Sequence, residues 1–312
     1  MEDKNELDEI LLKYKLSEKE HDKIGKEIIN IYLHDKFPVE NPKIIIDIAP
    51  PASGKTGLNA FGTQEFLDDN VVIINSDEFK PFHPKINEIA TKYPQYYTKV
   101  TDQESNTWTS VLFEKALKEK YNIIFEGTGK NSRILNTVKT KMKEYKVIVR
   151  SLAVNKLNCL MSILDRYEHQ IKTKGNGRLV IYEHFMETYN AIPNTIDQIE
   201  KSNLIQNTEI YTRGMLPSQP QLMYSTQTNK YGKFHNAKYA VLELREEDFK
   251  NAQKYYEKNI EQLKSIVYSK KPIQAEIDIL KNIEEAYNET KCVTNIDYCK
   301  NWIVKFKKKD KR

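Results

Sequence analysis

Cysteine is scarce in this sequence, and the few cysteines present suit neither a disulfide framework nor a zinc site. The chain has 312 residues and three cysteines, Cys159, Cys292 and Cys299. They cannot all pair with one another, and they show no CxxC spacing. The six histidines have no metal-ligand spacing either. We therefore expect a protein of a reducing compartment, located in the cytoplasm, or in the host cytosol if it is a secreted effector.

Long apolar runs and an excess of one charge are also missing. No stretch approaches the roughly 20 apolar residues of a membrane-spanning helix. The segment Met1–Glu6 is acidic, whereas a signal peptide begins with a positively charged region. The 49 Lys and Arg residues nearly balance the 44 Asp and Glu residues, with a net charge of +5. This pattern predicts a mixed, solvated surface, excludes a membrane partner and disfavours nucleic acid. We interpret the basic segment 305–312 as a solvated terminus.

The stretch Ile44–Leu58 organises the rest of the chain. Four of its first five residues are β-branched and apolar, which is typical of a strand buried on both faces of a parallel sheet. A turn of small residues follows, and a helix should then begin at Gly54-Lys55-Thr56. Strand, turn and helix N-terminus together form a phosphate cradle in which Lys55 reaches the terminal phosphates and Thr56 binds Mg²⁺. The predicted nucleotide-binding residues are Pro51, Ala52, Ser53, Gly54, Lys55 and Thr56, and the predicted cofactors are ATP or GTP and Mg²⁺.

One residue of this stretch departs from the usual phosphate-loop pattern. Ala49 stands four residues before Ser53, where the pattern has its first glycine. Because alanine resists positive φ, we expect the turn to differ slightly in shape.

The remaining apolar segments alternate between strand and helix patterns. This alternation predicts a doubly wound α/β sheet that binds a nucleotide. We divide the chain into an N-terminal helical segment (1–42), a core (43–228) and a C-terminal helical extension (229–312). The predicted strands are Val71–Asn75, Tyr121–Phe125, Val147–Val154 and a terminal hairpin of Glu209–Tyr211 with Leu222–Tyr224. The predicted helices include two before residue 36 with a capping box at Ser17–Glu20, one over 105–119, one over 181–200 interrupted near Pro193, and most of the chain after Leu244.

Two carboxylates follow predicted strands at the edge where ligands of open parallel sheets gather. Asp77 comes after the second strand and is a candidate general base for an attacking hydroxyl; it is equally suited to cap a helix N-terminus. Glu126 closes the third strand, and it is either a substrate or Mg²⁺-arranging residue or a strand-end residue paired with a lysine.

Arg166 and Arg178 lie on either side of Lys172–Gly177, a segment with the composition of a mobile loop. Arginine remains charged and binds phosphate oxygens in a bidentate manner, so arginines on a lid stabilise a transferring phosphoryl group. Each arginine taken alone also fits a solvated helix surface.

In order and spacing these motifs resemble the zeta toxins, the kinase halves of bacterial toxin–antitoxin modules. The nucleotide loop Pro51–Leu58, the second-strand signature Asn75–Lys80 with His83-Pro84, and the third-strand signature Glu126–Lys130 all match. Ala153–Lys156, Arg166-Tyr167-Glu168 and Arg178 follow in the family's order, so that the resemblance covers about residues 43–226.

The resemblance implies a P-loop kinase-like parallel sheet flanked by helices, with helical N- and C-terminal extensions. It also implies transfer of the γ-phosphate of ATP or GTP to a sugar hydroxyl of UDP-N-acetylglucosamine or a related nucleotide sugar. By the same resemblance Lys55, Asp77, Arg166 and Arg178 are catalytic, with Asp77 as the base. Substrate-binding positions are then Glu126, Thr128, Lys130 and Ser110, of which Ser110 replaces a family glutamate and Lys130 a family arginine.

Other functions stay open at this stage. One alternative is the same chemistry on another acceptor, such as the ribose of NAD, as in some zeta-like bacterial effectors. Another is a nucleotide-gated binding protein without transfer activity. The resemblance also implies an antitoxin or inhibitor protein as a partner, covering the nucleotide cleft with a helix. A polynucleotide kinase is disfavoured because no basic, aromatic-interleaved groove is evident.

Overall fold

The computed structural model describes residues 2–127, 129–175, 177–214, 219–228 and 232–293. It begins with the two predicted helices, α1 (Glu2–Tyr14) and α2 (Glu18–Leu33). The Ser17 hydroxyl accepts the backbone N–H of Glu20, and the Glu20 carboxylate accepts the N–H of Ser17, both at 3.3 Å. The predicted capping box is therefore confirmed.

Six strands form one mixed sheet, and their bounds are β1 (Lys43–Ile48), β2 (Val72–Ile74), β3 (Ile123–Gly127), β4 (Lys146–Leu152), β5 (Asn207–Thr212) and β6 (Gln221–Ser225). Their order across the sheet is β2-β3-β1-β4-β5-β6. The first five strands run parallel, and β6 pairs antiparallel with β5. Since parallel strands all end at one edge, the segments that follow β1, β2 and β3 meet there. The predicted α/β sheet with a terminal hairpin is confirmed.

The helices that connect and cover the strands are α3 (Lys55–Thr63), α4 (Ser76–Phe79), α5 (Ile86–Lys92), α6 (Tyr97–Lys118), α7 (Arg133–Lys141), α8 (Lys156–Lys174) and α9 (Tyr182–Lys201). Helix α6 begins at residue 97 rather than at the predicted 105. The apolar stripe that marked this helix begins at Trp108, whereas its first turns carry mostly polar residues, of which Asp102 contacts Lys80. None of the helices in the described ranges is long and apolar enough to cross a membrane.

The two faces of the central strand have different neighbours, as the two-residue period of a strand requires. Ile44, Ile46 and Ile48 belong to the main hydrophobic cluster, together with Trp108 of α6. Ile45 faces the other way and packs in a smaller cluster with Ile124. Both faces are therefore buried, which confirms the expectation drawn from the apolar run.

Three helices follow the sheet, namely α10 (Ala237–Glu247), α11 (Phe249–Tyr268) and α12 (Gln274–Val293). Apolar residues of α11 and α12 share one buried cluster with α8. The carboxylate of Asp248 also accepts the backbone N–H of Asn155 and the Asn158 amide, each at 2.9 Å. The C-terminal helices thus support the helix that carries Arg166. The division at residues 42 and 228 stays a prediction.

The expected interruption of α9 at Pro193 is wrong, because the helix continues to Lys201. A proline inside a helix has no N–H for the carbonyl four residues earlier, which here belongs to Tyr189. Arg245 of α10 donates to that carbonyl from Nη1 at 2.9 Å, and its guanidinium lies over the Tyr189 ring. A partner from a distant part of the chain therefore satisfies the group that proline leaves free.

Candidate phosphoryl-transfer site

The phosphate-loop segment forms the strand, turn and helix that its sequence predicts. Helix α3 begins at Lys55 with Gly54 as its N-cap at φ +104°. The first N–H groups of a helix have no partner within it, so they are available to an anion at this end. Among the non-glycine residues described here, Ala52 takes positive φ (+57°), whereas Ala49 does not and is fully buried. The alanine of this loop that adopts an unusual backbone conformation is thus Ala52. Ala49, which replaces the first glycine of the sequence pattern, does not adopt one.

Lys55 folds back onto the loop. Its Nζ donates to the carbonyls of Ala49 at 2.9 Å and Pro50 at 3.2 Å, and it lies 3.7 Å from Oε1 of Glu126. Burial lowers the pKa of Lys55, and the carboxylates of Glu126 and Asp77 oppose that change. The ammonium of Lys55 is thus held over the turn, where a phosphate oxygen could accept its hydrogen bonds in place of the two carbonyls.

Glu126 stands at the end of β3 and is fixed by two amides. Its Oε2 accepts Nδ2 of Asn59 from α3 at 3.1 Å and Nδ2 of Asn75 at 2.9 Å. Asn75 also caps α4 by accepting the N–H of Asp77 at 3.0 Å. The three segments that follow β1, β2 and β3 are therefore joined by hydrogen bonds at the carboxyl edge of the sheet.

Asp77 lies between two cations. Its Oδ1 is 3.0 Å from Nζ of Lys80, and its Oδ2 forms an ion pair with Nη1 of Arg178. Burial by itself would raise the pKa of Asp77, but Arg178 and then Lys80 outweigh it and lower the pKa to about 2. The carboxylate is ionised at neutral pH, and 45% of its side chain is exposed. It is therefore open to solvent rather than packed in the interior.

Asp77, Arg178 and Lys80 form a charged cluster, and Lys80 connects this cluster to helix α6. It is 1% exposed, and its Nζ lies 2.7 Å from Oδ1 of Asp102. Ser110 lies eight positions later, about 12 Å along the helix axis. It is exposed, and its hydroxyl donates to the carbonyl of Asn106 at 2.9 Å. No described contact joins Ser110 to the cluster, and the carboxylate that α6 brings there is Asp102.

Arg166 and Arg178 lie on either side of the end of helix α8, which continues to Lys174, so that the first three residues of the predicted loop are helical instead. Helix α8 ends at Gly175 in the left-handed conformation, and the N–H of Arg178 donates to the Gln170 side chain at 2.9 Å. Arg166 is exposed on α8, and no described contact pairs it with a carboxylate. Partial burial and then repulsion from Arg178 lower the pKa of Arg166, while Asp77 and Glu126 oppose this. In the structure, Arg178 thus contacts Asp77. Arg166 makes no such contact, but it lies close enough for the charges of Asp77 and Glu126 to act on it.

Lys130 lies on the far side of the third-strand signature. Its Nζ donates to Glu187 at 2.6 Å and lies 3.3 Å from Nδ1 of His184, both on α9. Gly129 has φ +68°, and a Cβ there would lie 2.0 Å from Cγ2 of Ile48. Only glycine fits this turn. Thr128 lies outside the described residues.

Residues that could hold Mg²⁺ are few. Thr56 is exposed on the first turn of α3 and is the predicted hydroxyl ligand. Within the described ranges, no group of three or more His, Cys, Asp or Glu side chains is arranged to hold a metal ion. The Thr56 hydroxyl is an oxygen donor of the kind that Mg²⁺ takes, since this ion keeps several waters and is bound largely through the substrate's phosphates.

Sequence reasoning missed four polar residues around this site. Lys80 ends the second-strand signature, but that pattern assigned it no role, and Asp102 carries no motif signal, because their pairing depends on how α6 packs. Asp47 and Arg150 had a weak signal, since each is a lone charge within an apolar strand. Asp47 is fully buried, and neither of its carboxylate oxygens has a hydrogen-bond partner among the described residues. Burial raises its pKa to about 7, although Arg150 lowers it.

The chain is similar to known proteins in both sequence and fold. The sequence model of the family described as zeta toxin matches residues 29–222. Toxin zeta of Streptococcus agalactiae is 26% identical over 182 residues, which cover 57% of this chain and 63% of that protein. Toxin PezT of Streptococcus pneumoniae is 26% identical over 169 residues, covering 52% and 64%. The aligned part thus spans a little less than two thirds of the relatives' length.

The fold is similar to that of a solved structure over most of the chain. That structure belongs to the molecular and structural characterization of the PezAT chromosomal toxin-antitoxin system of Streptococcus pneumoniae. Its TM-score is 0.63 at 20% sequence identity, and the match covers 89% of this chain and 98% of that chain. The mixed sheet with flanking helices and a helical C-terminal region is therefore the P-loop kinase-like fold.

Proposed function

The chain belongs to the zeta toxin family, and we propose that it is a kinase of nucleotide-linked small molecules. It would transfer the γ-phosphoryl group of ATP or GTP to a hydroxyl, with UDP-N-acetylglucosamine as the first acceptor to test. One observation supports this most strongly: the phosphate-loop Lys55 and the carboxylate of Asp77 lie at one edge of the sheet, and Arg178 contacts Asp77 there.

Each step of the proposed reaction has a residue of suitable chemistry. The N–H groups at the start of α3 and the ammonium of Lys55 bind the β- and γ-phosphates. Asp77 accepts a hydrogen bond from the acceptor hydroxyl, orients its oxygen toward phosphorus and takes its proton as the bond to phosphorus forms. The bridging oxygen leaves with the nucleoside diphosphate. Mg²⁺, with Thr56 as its ligand, would neutralise charge on the phosphates.

Arg178 and Arg166 are assigned to the transferring group. Negative charge spreads over the oxygens of that group in the transition state, and fixed guanidinium donors stabilise it there. Arg178 forms an ion pair with Asp77. A γ-phosphate offers this arginine a second anion, so that the carboxylate becomes available to the acceptor.

Acceptor binding is assigned to Glu126, Lys130 and Thr128, the last of which lies outside the described residues. Lys130 supplies a positive charge here. Its partner Glu187 supplies a negative charge, and its partner His184 supplies an imidazole. Burial and then Lys130 lower the pKa of His184, so this imidazole is uncharged at neutral pH. These groups suit a polar acceptor with several hydroxyls and a phosphate.

The test is a transfer assay with labelled ATP or GTP, Mg²⁺ and separate acceptors: UDP-N-acetylglucosamine, related nucleotide sugars and NAD. Products are resolved by mass, and the expected product is the nucleotide sugar with one added phosphate. Asp77→Asn should reduce turnover by about 10²–10⁴-fold while nucleotide still binds. Glu78→Gln is the matched control, because it removes the carboxylate next to Asp77 in the chain. The Glu78 carboxylate accepts a hydrogen bond from the Tyr32 hydroxyl and is assigned no part in the transfer.

Other results would lead elsewhere. Added phosphate on NAD alone would replace the nucleotide sugar by the ribose as acceptor. Nucleotide binding with no transfer to any acceptor, and no effect of Asp77→Asn, would instead indicate a binding protein. Because the similar solved structure comes from a toxin-antitoxin system, we also propose an antitoxin partner for this chain. Co-expression with the product of an adjacent gene, followed by co-purification, tests that proposal.

A further inference from the structure

An arginine outside every predicted motif contacts the phosphate loop. Arg213 follows the end of β5, and its Nε donates to the carbonyl of Ser53 at 2.8 Å. Its Nη2 donates to the carbonyl of Ala52 at 2.7 Å. One guanidinium therefore holds two consecutive carbonyls of the loop. Only arginine offers such paired donors in a fixed plane, since a lysine ammonium is a single point charge.

One of these carbonyls belongs to a residue in an unfavourable conformation. Ala52 has φ +57°, a region where the Cβ of an L-residue crowds the following carbonyl oxygen. Glycine adopts this conformation without that penalty. The loop therefore needs a contact from outside itself to keep alanine in this geometry, and the two hydrogen bonds from Arg213 are such a contact.

The same two bonds set the direction of the neighbouring N–H groups. A peptide group is planar and trans, so a carbonyl that points toward Arg213 directs the next residue's N–H the opposite way. Holding the Ser53 carbonyl thus fixes the N–H of Gly54. Gly54 itself lies close to the arginine, because a Cβ there would be 3.6 Å from Nε of Arg213. This N–H immediately precedes the free N–H groups of α3.

We propose that Arg213 is a positioning residue that holds the loop in its phosphate-binding shape and thereby compensates for alanine at position 52. The proposal rests on the nucleotide binding proposed above. It assigns Arg213 a role through the loop backbone rather than through contact with the nucleotide.

The test combines four variants: Arg213→Ala, Arg213→Lys, Ala52→Gly and the double variant Ala52→Gly/Arg213→Ala. Affinity for a fluorescent ATP analogue is measured by titration, and amide hydrogen exchange of residues 52–58 is measured without nucleotide. Arg213→Ala should weaken binding about tenfold or more, as expected for two lost hydrogen bonds, and speed exchange. Arg213→Lys should resemble Arg213→Ala. KM for the nucleotide should rise with kcat little changed.

The double variant decides between the two roles. Glycine at position 52 should restore much of the lost affinity and slow the exchange again, so that Arg213→Ala costs much less affinity in the Ala52→Gly background than in the wild type. Lys281→Ala, on the exposed face of α12, controls for the loss of one positive charge.

Recovery by lysine, or no recovery in the double variant, would show that Arg213 acts by its charge or by touching the nucleotide, and would overturn the proposal. Unchanged exchange in Arg213→Ala would also overturn it. If the wild-type protein bound no nucleotide, the proposed function would fail, whereas the exchange measurements would still decide whether Arg213 shapes the loop.

Discussion

Replacing Asp47 by asparagine should change how the stability of the protein depends on pH. The carboxyl group is fully buried beneath the phosphate loop, with no hydrogen-bond partner for either oxygen in the described structure. Arg150, the neighbouring cation on β4, is already bound by Glu209 and Glu65. Burial therefore dominates and raises the pKa of Asp47 from 3.8 to about 7.

The direction of the effect follows from which state holds the proton. Between about pH 4 and 7 the folded protein keeps Asp47 protonated, while the unfolded chain has lost that proton. Stability from this group is thus full below pH 4 and is lost as the pH rises to 7. Each pH unit in this window changes the free energy of unfolding by about 1.4 kcal/mol, so the whole change is up to about 4 kcal/mol.

The assay is urea unfolding of wild type and Asp47→Asn at several values from pH 4.5 to 8.5, followed by the fluorescence of the buried Trp108. The amide stays neutral throughout, so the variant should gain stability relative to wild type as the pH rises, with no further gain above about pH 7.5. Any constant penalty for burying the amide shifts the whole curve without changing its slope. Glu27→Gln, on the exposed surface of α2, should run parallel to wild type. Parallel curves for Asp47→Asn as well would refute a protonated, buried Asp47.

Three further variants test other contacts. Gly129→Ala should destabilise the protein by about 1–3 kcal/mol, because its Cβ would lie 2.0 Å from Ile48 and φ is +68°; an unchanged urea midpoint would contradict this turn geometry. Arg150→Met leaves Glu209 buried without its cation and should lower the free energy of unfolding by about 3–5 kcal/mol; a loss under 1 kcal/mol in urea unfolding would show that the ion pair contributes little. Arg178→Ala should reduce kcat about 10²–10³-fold with nucleotide affinity less affected; equal losses of both in transfer and titration assays would argue against a transition-state role.

Local sequence patterns predicted the elements of the site well. An apolar run followed by small residues and Gly54-Lys55-Thr56 specifies a strand, a turn and a helix within a few residues, and each of these is confirmed. The carboxyl ends of parallel strands must share one edge, so the placement of Asp77 and Glu126 near Lys55 followed from topology. The ends of the helices were predicted less accurately. A first turn of mostly polar residues, as in α6, lacks the apolar periodicity that marks a helix in a sequence.

Contacts between distant segments could not be predicted in the same way. The family resemblance selected Ser110 on α6, whereas the contact described between α6 and Lys80 is made by Asp102, because the way a helix packs decides which of its residues reach a neighbour. The continuation of α9 through Pro193 required a donor from α10, 52 residues later in the chain. Such pairings depend on tertiary structure, which the sequence patterns used here do not encode.

The Asp77–Arg178 pair illustrates why the tertiary contacts matter for the proposed reaction. A carboxylate whose pKa is about 2 is a weak base when it lies between Arg178 and Lys80. Withdrawal of Arg178 to a γ-phosphate would remove the larger of the two attractions and raise the pKa of Asp77 at the moment when the acceptor hydroxyl needs a base. The buried Lys80 remains, held by Asp102, and keeps the carboxylate ionised and oriented. Nucleotide binding would in this way prepare the base, because Arg178 would otherwise stay paired with the carboxylate of Asp77.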